Sequence, residues 1–312
     1  MANFWSQLPK PILVLAPLAG ATDSAFRQIC KNYGAQVVVS EMASVAALVH
    51  DQRKTLEMLA FKPIERPYVV QLFGADPRQF AVAAQIITEK IQPDGLDINF
   101  GCPVPKIIKQ GAGAALGADL PRAREVVKAV LDNTDRPVSV KLRAFNQGIS
   151  AQQFVANLAD LSIAAVAVHG RSLAAGFSGP ADPTAIAACR PHVSGQLLAN
   201  GGVVDLASAQ ALLAASQADG LMIGQGALSR PWIFQEITQQ ININLSWSEL
   251  SQLMLDHAKL VVENKGESGL IELRKFLAWY VKGWPQASKI RQRLVAIESI
   301  ADLEAIIASV SF

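Results

Sequence analysis

Residues Tyr68–Asn99 read YVVQLFGADPRQFAVAAQIITEKIQPDGLDIN and contain one strand–helix–strand unit. The run Tyr68–Val70 is short, apolar and partly β-branched, which predicts a buried strand. Asp76-Pro77 is a helix start signal, and the spacing of Arg78–Lys90 predicts the helix that it opens. After a break with proline and glycine, Leu96–Ile98 predicts the next strand. Such a unit is typical of an alternating α/β fold.

The same pattern recurs from residue 11 to about residue 240, including a second helix over Arg122–Leu131 that Asp119-Leu120-Pro121 opens. Eight apolar runs are predicted to be strands: Ile12–Leu15, Val37–Val39, Tyr68–Val70, Leu96–Ile98, Val138–Val140, Ala165–Val168, Leu197–Ala199 and Leu221–Ile223. Nearly all are unbroken instead of alternating, as expected for parallel strands between outer helices and a filled interior. Eight alternations favour a closed (β/α)8 TIM barrel over an open doubly wound sheet.

After Ile237 the strand signal stops and only helical spacing remains. The predicted helices are Ser248–Glu263, with Ser248 as the N-cap, Leu270–Val281, Lys289–Ile297 and Leu303–Val310. We therefore expect two domains: a catalytic barrel over residues 1–240 and a small all-helical domain over residues 241–312.

Composition limits the class of protein. A chain of 312 residues that is 51% hydrophobic can bury a large core. A net charge of +2 implies that any basic surface is local. Three cysteines, Cys30, Cys102 and Cys189, are too few for a disulfide framework and indicate a reducing compartment. Because no segment resembles a signal peptide or a membrane span, we expect a cytoplasmic protein that does not bind membranes.

In a β/α barrel the chemistry lies at the carboxyl ends of the strands. The residues just past the eight runs are Ala16-Pro17-Leu18, Ser40-Glu41, Gln71, Asn99 with Cys102 close behind, Lys141 with Arg143, His169-Gly170-Arg171, Asn200-Gly201-Gly202 and Gly224-Gln225-Gly226. Loop polarity is common, but amide, amine, imidazole and thiol groups at one mouth favour a converging site.

The last two strand ends suggest a phosphate site. Residues 200–202 and 224–226 follow strands seven and eight, where barrels commonly bind phosphate through backbone N–H groups. Each alone is more simply a glycine turn, but the pair favours a phosphorylated cofactor or substrate. Lys141 could stabilise a reduced flavin and Gln71 could pair with its ring edge. The phosphate signal together with these groups and His169 suggests FMN. Because His169 has no spaced ligand partner, we expect no metal site.

Cys102 is the strongest candidate for a catalytic residue. The turn Gly101-Cys102-Pro103 would lift its side chain into the barrel mouth. A thiol with a pKa of about 8.5 is mostly protonated near neutrality, so it can act as a general acid as readily as a nucleophile. Cys30 and Cys189 are interpreted instead as small buried hydrophobic residues.

Several segments together resemble the tRNA-dihydrouridine synthase family. They are APLAG at Ala16–Gly20, DINFGCP at Asp97–Pro103, GAGAAL at Gly111–Leu116, VKLR at Val140–Arg143, VHGR at Val168–Arg171, GALSRPW at Gly226–Trp232 and, in the helical part, RKFLAWYVKG at Arg274–Gly283. The segments occur in the family's order over essentially the whole chain, and the GCP turn followed by GAGAAL is highly specific.

The resemblance implies FMN-dependent reduction of the C5–C6 double bond of a tRNA uridine, with NADPH as the electron donor. Hydride would pass from flavin N5 to C6 while Cys102 gives a proton to C5. Asn99 and Arg143 would contact the uridine or its phosphate. The residues implied to hold FMN are Ala16, Pro17, Leu18, Gln71, Lys141, His169, Asn200, Gly201, Gly202, Gly224 and Gln225.

The chain departs from the family pattern around the substrate side. Gln225 stands where an arginine is usual, and Phe145 where a glycine is usual. Residues 173–175 lack the usual glutamine, and Pro183 stands where a tryptophan is usual. We expect these changes to affect the tRNA position and affinity more than the redox chemistry.

RNA binding has a separate signal near the C-terminus. Between Leu273 and Ile297 there is no acidic residue, but six cations: Arg274, Lys275, Lys282, Lys289, Arg291 and Arg293. The aromatic residues among them are Phe276, Trp279, Tyr280 and Trp284. They could stack on bases, although most are more simply core residues of a helix bundle. Lys106 and Lys109 would extend the positive path to the mouth, and we predict tRNA contacts for Lys106 and Lys282.

Three functions are therefore compared. The leading one is a tRNA reductase without an obligate protein partner. The second is a flavin reductase of a free pyrimidine or another small molecule. The third is a non-catalytic RNA-binding barrel. The sequence does not indicate which uridine is reduced, the oligomeric state, the preference between NADPH and NADH, or the relative orientation of the domains.

Overall fold

The computed structural model describes residues 3–310, and its main feature is a closed barrel of eight parallel strands. The strands are β1 Ile12–Leu15, β2 Val37–Val39, β3 Tyr68–Phe73, β4 Gly95–Asn99, β5 Val138–Arg143, β6 Ala165–His169, β7 Gln196–Asn200 and β8 Gly220–Ile223. Each strand pairs with the next, and β1 also pairs with β8, from Ile12 opposite Gly220 to Leu15 opposite Ile223. The predicted TIM barrel is confirmed. Short two-residue strands lie at Ala43–Ser44, Phe145–Asn146 and Ile149–Ser150.

Helices follow the strands in the expected alternation. They are α1 Ser24–Asn32, α2 Val45–His50, α3 Arg53–Met58, α4 Pro77–Lys90, α5 Pro105–Ile108, α6 Ala114–Gly117, α7 Leu120–Leu131, α8 Ala151–Ala156, α9 Pro183–Ala187, α10 Leu206–Ser216, α11 Gln225–Ser229 and α12 Ile233–Gln239. Short 3-10 segments cover Phe4–Gln7, Pro63–Glu65, Arg190–His192 and Glu267–Gly269. The helices expected at residues 78–90 and 122–131 are confirmed, with starts one and two residues earlier, each capped by an aspartate side chain.

Alternate side chains of each strand point into the barrel, and their chemistry changes along its axis. The lower interior is apolar and contains Trp5, Ile12, Val37 and Val69 in one buried cluster. Towards the carboxyl ends, the inward positions become polar, namely Gln71, Asp97, Asn99, Lys141, Arg143, His169 and Asn200. Strands β3 to β7 extend past their predicted carboxyl ends, so these side chains belong to the strands themselves and not to the loops after them. Rigid strands therefore hold the site.

Four further helices follow within the described residues: α13 Trp247–Lys265, α14 Leu270–Tyr280, α15 Ala287–Leu294 and α16 Ile300–Ala308. The prediction of Ser248 as the first N-cap was wrong. Ser246 caps α13 by accepting from the backbone N–H of Glu249 at 3.3 Å, and the Glu249 carboxylate accepts from the N–H of Ser246 at 2.7 Å. This reciprocal capping box satisfies two donors.

The C-terminal helices pack against the carboxyl end of the barrel beside the β1 loop. The rings of Phe26 and Phe276 lie 4.9 Å apart, and Lys265 Nζ contacts the Asp23 carboxylate at 2.7 Å. Lys275 Nζ donates to the carbonyl of Gly20. One hydrophobic cluster runs through both parts of the chain. The division into domains 1–240 and 241–312 stays a prediction. The outermost residues of these two predicted domains, 1–2 and 311–312, lie outside the described range. None of the helices within residues 3–310 is long and apolar enough to cross a membrane.

Candidate active site

A cavity of about 590 Å³ opens at the carboxyl end of the barrel. Its lining includes every residue predicted to hold the cofactor and three of the others predicted for catalysis or substrate: Ala16, Pro17, Leu18, Gln71, Asn99, Cys102, Lys141, Arg143, His169, Asn200, Gly201, Gly202, Gly224 and Gln225. Lys106 and Lys282 do not line it, and both side chains are exposed.

Two sets of contacts fix the turn that carries Cys102. The Asn99 side-chain oxygen accepts hydrogen bonds from the backbone N–H groups of Gly101 at 3.0 Å and Cys102 at 2.9 Å. Below the turn, the N–H of Ala114 donates to the carbonyl of Cys102 at 3.1 Å. A Cβ at Gly113, whose φ is +59°, would lie 3.0 Å from the Cβ of Cys102. The glycine of the GAGAAL segment therefore allows close packing under the thiol.

The Cys102 side chain is a nearly buried free thiol. It is 9% exposed and not in a disulfide. Burial raises the pKa of its thiol, although the nearby charges of Arg143 and Lys141 act in the opposite direction. The thiol is therefore protonated at neutral pH, as a general acid must be. Cys30 and Cys189 are buried free thiols, as predicted.

Lys141 presents a cation without a direct partner to the cavity. Within the described residues its ammonium group has no hydrogen-bond or ion-pair partner. Burial lowers its pKa to about 8, with Asp97 opposing and Arg143 adding to that effect. A buried cation without a direct partner is a favourable site for an anionic ligand group.

His169 is a neutral hydrogen-bonding group. Its Nε2 lies 3.3 Å from Arg171 Nη1, and a guanidinium can only donate, so Nε2 accepts and Nδ1 carries the proton. Burial and the charges of Lys141, Arg143 and Arg171 lower the His169 pKa to about 3.

In the two glycine loops, the backbone lies so close to neighbouring groups that a side chain would collide with them. Gly201 and Gly202 have φ values of +111° and +75°, and a Cβ at Gly201 would lie 2.6 Å from Cδ2 of His169. A Cβ at Gly226 would lie 2.1 Å from the carbonyl oxygen of Val203. Asn200 Nδ2 donates to the carbonyl of Met222 at 2.6 Å and so joins the ends of β7 and β8. Gly224 has a φ of −112°, so it needs no left-handed conformation.

Arg143 connects the cysteine turn with a loop at the rim. It donates to the carbonyls of Gly101 at 2.9 Å, Gly176 at 2.9 Å and Ser172 at 3.2 Å. Its guanidinium lies 5.8 Å from the ring centroid of Phe177, which is 57% exposed. Within residues 3–310, Arg143 Nη2 makes no hydrogen bond, so it is available to a ligand.

Some lining residues were not predicted as part of the site. Lys275 and Trp279 reach the cavity from α14, where no strand end could indicate them. Phe276 and Tyr280 are buried, as the bundle-core interpretation expected, whereas Trp279 is half-buried. Asp97, which does not line the cavity but accepts a hydrogen bond from Gln71, was also missed. It faces inward two residues before Asn99, so the two-residue periodicity of the strand could have indicated it. Four of the basic residues, Lys282, Lys289, Arg291 and Arg293, have exposed side chains.

Comparisons with known proteins agree on family and fold. The model of the dihydrouridine synthase family matches residues 14–310. A probable tRNA-dihydrouridine synthase of Mycobacterium tuberculosis is 33% identical over 96% of this chain and 82% of its own length. tRNA-dihydrouridine synthase B of Shewanella oneidensis is 36% identical over 86% of each chain, and that of Pseudomonas aeruginosa is 35% identical over 96% and 91%.

Solved structures are similar in fold. The old yellow enzyme from Trypanosoma cruzi aligns with a TM-score of 0.52 at 14% identity, over 75% of this chain and 89% of its own. Morphinone reductase in complex with tetrahydroNAD aligns with a TM-score of 0.53 at 14% identity, over 77% and 90%.

Proposed function

The chain belongs to the dihydrouridine synthase family, and from that membership we propose that it reduces the C5–C6 double bond of a uridine in tRNA, with FMN as cofactor and NADPH as the electron source. The observation that carries the proposal is the position of Cys102 in a cavity that also contains the unpaired cation of Lys141. The names of the relatives support tRNA as the substrate. A tRNA substrate is also consistent with a cytoplasmic protein.

The residues present fit FMN. Lys141 and Gln71 would contact the pyrimidine edge, where a cation stabilises the reduced ring. His169 would donate from Nδ1, since its Nε2 already accepts from Arg171. Gly201, Gly202 and the 224–226 loop would approach the phosphate through their backbone, with Ala16, Pro17, Leu18 and Asn200 lining the same cavity. When bound there and reduced by NADPH, FMN would supply a hydride for the double bond.

Cys102 supplies the proton. Its thiol is protonated at neutral pH because burial raises its pKa, and Asn99 holds the turn that carries it. We propose that Cys102 Sγ donates to C5 of the uridine, while Arg143 Nη2 contacts the nucleotide. Asn99 would also lie against the base, although its side-chain oxygen already accepts two backbone hydrogen bonds.

The exposed cations would hold the RNA. A uridine inside folded RNA must leave its stack to enter a barrel, which costs a few kcal/mol and requires backbone contacts to compensate. Lys282 on the helical side and Lys106 after the cysteine turn are proposed as such contacts, because both side chains are exposed and free to reach phosphates.

The test is to supply the purified holoenzyme and NADPH with unmodified tRNA or with free uridine, and to measure dihydrouridine by mass spectrometry. Turnover of tRNA with slow or no turnover of free uridine supports the proposal. Equal turnover of both favours the free-pyrimidine reductase, and colourless protein without turnover favours the RNA-binding barrel. Mapping dihydrouridine in tRNA from a deletion strain identifies the position.

A further inference from the structure

We propose that Asp97 is a positioning residue, which sets the direction of a chain of side-chain amides that runs through Gln71 and Asn99 to the turn carrying Cys102. Gln71 Nε2 donates to Asp97 Oδ2 at 2.7 Å, and Asn99 Nδ2 donates to Gln71 Oε1 at 2.8 Å. The oxygen of Asn99 then accepts from the N–H groups of Gly101 and Cys102. The inference does not depend on the proposed function except where turnover is measured.

A carboxylate determines the direction because it can only accept hydrogen bonds. A primary amide has one donating and one accepting end, so an isolated Gln71 or Asn99 can be turned in either sense. The backbone N–H groups of Gly101 and Cys102 favour one sense at the Asn99 end, and Asp97 enforces the matching sense at the Gln71 end. An ionised Asp97 requires the NH2 group of Gln71 to face it. The oxygen of Gln71 must then face Asn99, which turns the oxygen of Asn99 towards the cysteine turn.

The reverse direction would be costly at this depth. It would place the NH2 group of Asn99 against two backbone N–H groups, so that donors face donors. Asp97 and Gln71 are each 1% exposed and Asn99 is 8% exposed, so water cannot easily satisfy the displaced groups. The turn that carries Cys102 would lose both of the hydrogen bonds that fix it from above.

Ser139 offers a matched control. Its hydroxyl donates to the other oxygen of Asp97 at 2.6 Å and takes no part in the chain. The groups that face Asp97 from the neighbouring strands are Gln71 on β3, and Ser139 and Lys141 on β5. Burial raises the pKa of Asp97 to about 6, against the hydrogen bonds of Ser139 and Gln71 and the charge of Lys141. Below this pH, Asp97 gains a proton and its direction-setting property is lost.

The experiment is residue-resolved hydrogen exchange of the full chain with FMN bound, comparing wild type, Asp97→Asn and Ser139→Ala. In Asp97→Asn the isosteric amide can donate or accept, so we expect the protection of the Gly101 and Cys102 amides to fall about tenfold. Protection of the β1 and β8 amides should stay unchanged. Ser139→Ala should retain protection at about pH 8 and above, where Asp97 stays ionised although its pKa is raised.

The pH dependence of amide protection is a second readout. In wild type it does not depend on how the variants fold. We expect the protection of the two amides, relative to β1, to decrease as pH falls through about 6. Ser139→Ala should move this step to higher pH, because it removes a hydrogen bond that lowers the Asp97 pKa. Asp97→Asn should lack the step. Protection that is unchanged in Asp97→Asn, or no step in wild type, would overturn the proposal.

Turnover separates this inference from the proposed function. If the enzyme reduces tRNA, Asp97→Asn should lower kcat about tenfold with little change in KM for tRNA, because Asp97 orients the proton donor without touching the RNA. If wild type does not reduce tRNA, the proposed function fails, whereas the exchange results still decide whether Asp97 orients the turn.

Discussion

Lys141 carries the positive charge that the proposed cofactor requires, and its pKa of about 8 makes that charge dependent on pH. The amine is charged below this value and loses its proton as pH rises through it. We therefore expect the affinity of the apoprotein for FMN to fall above about pH 8, and Lys141→Met to bind FMN roughly 10- to 100-fold more weakly at neutral pH. Quenching of flavin fluorescence measures both effects.

Lys141→Arg is the matched control, because a guanidinium stays charged throughout this range. It should bind FMN without the alkaline decrease. The role of Lys141 would be refuted if Lys141→Met bound FMN as tightly as wild type and showed the same alkaline decrease.

Strand-end reasoning found most of the side chains in the site. Gln71, Lys141 and His169 were predicted because each follows an apolar run, and the structure places all three around one cavity. Asp97 was missed because the pattern drew attention to the residues after each run. Lys275 was missed as a lining residue because its position depends on how α14 packs against the barrel, which no local pattern encodes.

Helix α13 contains a buried histidine that makes its packing sensitive to acid. His257 Nδ1 lies 2.9 Å from the hydroxyl of Tyr280 on α14, and burial lowers the His257 pKa to about 4. The unfolded chain, with a histidine pKa of about 6.5, binds more protons between the two values, so stability falls as pH decreases through this window. We expect this group to remove up to about 3 kcal/mol from the free energy of unfolding.

His257→Phe should therefore lose less stability between about pH 6.5 and 4 in urea titrations, although its stability at neutral pH should be about 1–3 kcal/mol lower because Tyr280 loses its partner. His50→Gln, at an exposed position, is the control. A constant difference in stability between His257→Phe and wild type across the window would contradict the prediction.

Helix α1 is joined to the 3-10 segment Pro63–Glu65 by a buried ion pair. Arg27 Nε lies 2.5 Å from Glu65 Oε2, and the guanidinium also donates to the carbonyls of Thr22 and Ala60. Arg27→Met would leave the Glu65 carboxylate buried and uncompensated, so we expect the free energy of unfolding to fall by about 3–5 kcal/mol. Chemical denaturation measures this loss.

The exposed pair Arg53 and Glu57 provides the comparison, with N···O at 3.7 Å. Arg53→Met should change the free energy of unfolding by less than about 0.5 kcal/mol. Similar losses for Arg27→Met and Arg53→Met would contradict the role of burial.

The sequence predicted which segments are strands or helices more accurately than it predicted their first and last residues. The eight strands were recognisable because each is an apolar run, but their carboxyl ends were placed too early wherever polar inward residues continue the strand, as at Lys141–Arg143. The start of α13 was misplaced because the signal that matters is the Ser246 and Glu249 pair, not the serine at 248.

At the scale of the whole molecule, the local excess of cations between Leu273 and Ile297 predicts the salt dependence of RNA binding. Replacing Lys289, Arg291 and Arg293 with glutamine should weaken tRNA binding. It should also reduce the slope of log affinity against log salt by roughly 0.7–0.9 for each phosphate contact that is lost. Filter-binding titrations over a range of salt concentrations measure both quantities.

Lys54, Lys90 and Lys128 are exposed cations on the barrel helices α3, α4 and α7, and replacing them with glutamine removes the same charge. This control should retain the wild-type slope. Equal effects of the two triple variants would indicate that only net charge matters.

The family resemblance covered the whole chain, so family and fold were predictable together. The sequence did not encode locally how the helical region meets the barrel. The structure shows that α14 supplies Lys275 and Trp279 to the cavity, so the region expected to bind RNA also lines the site.

The most direct test is a single turnover. Holoenzyme with reduced flavin is mixed with unmodified tRNA, and flavin reoxidation is followed together with the dihydrouridine formed. We predict that wild type reoxidises and yields equivalent dihydrouridine, whereas Cys102→Ala binds FMN equally but reacts roughly 100-fold or more slowly. Reoxidation of Cys102→Ala at the wild-type rate, or wild-type reoxidation as fast with free uridine as with tRNA, would contradict a tRNA reductase that uses this thiol.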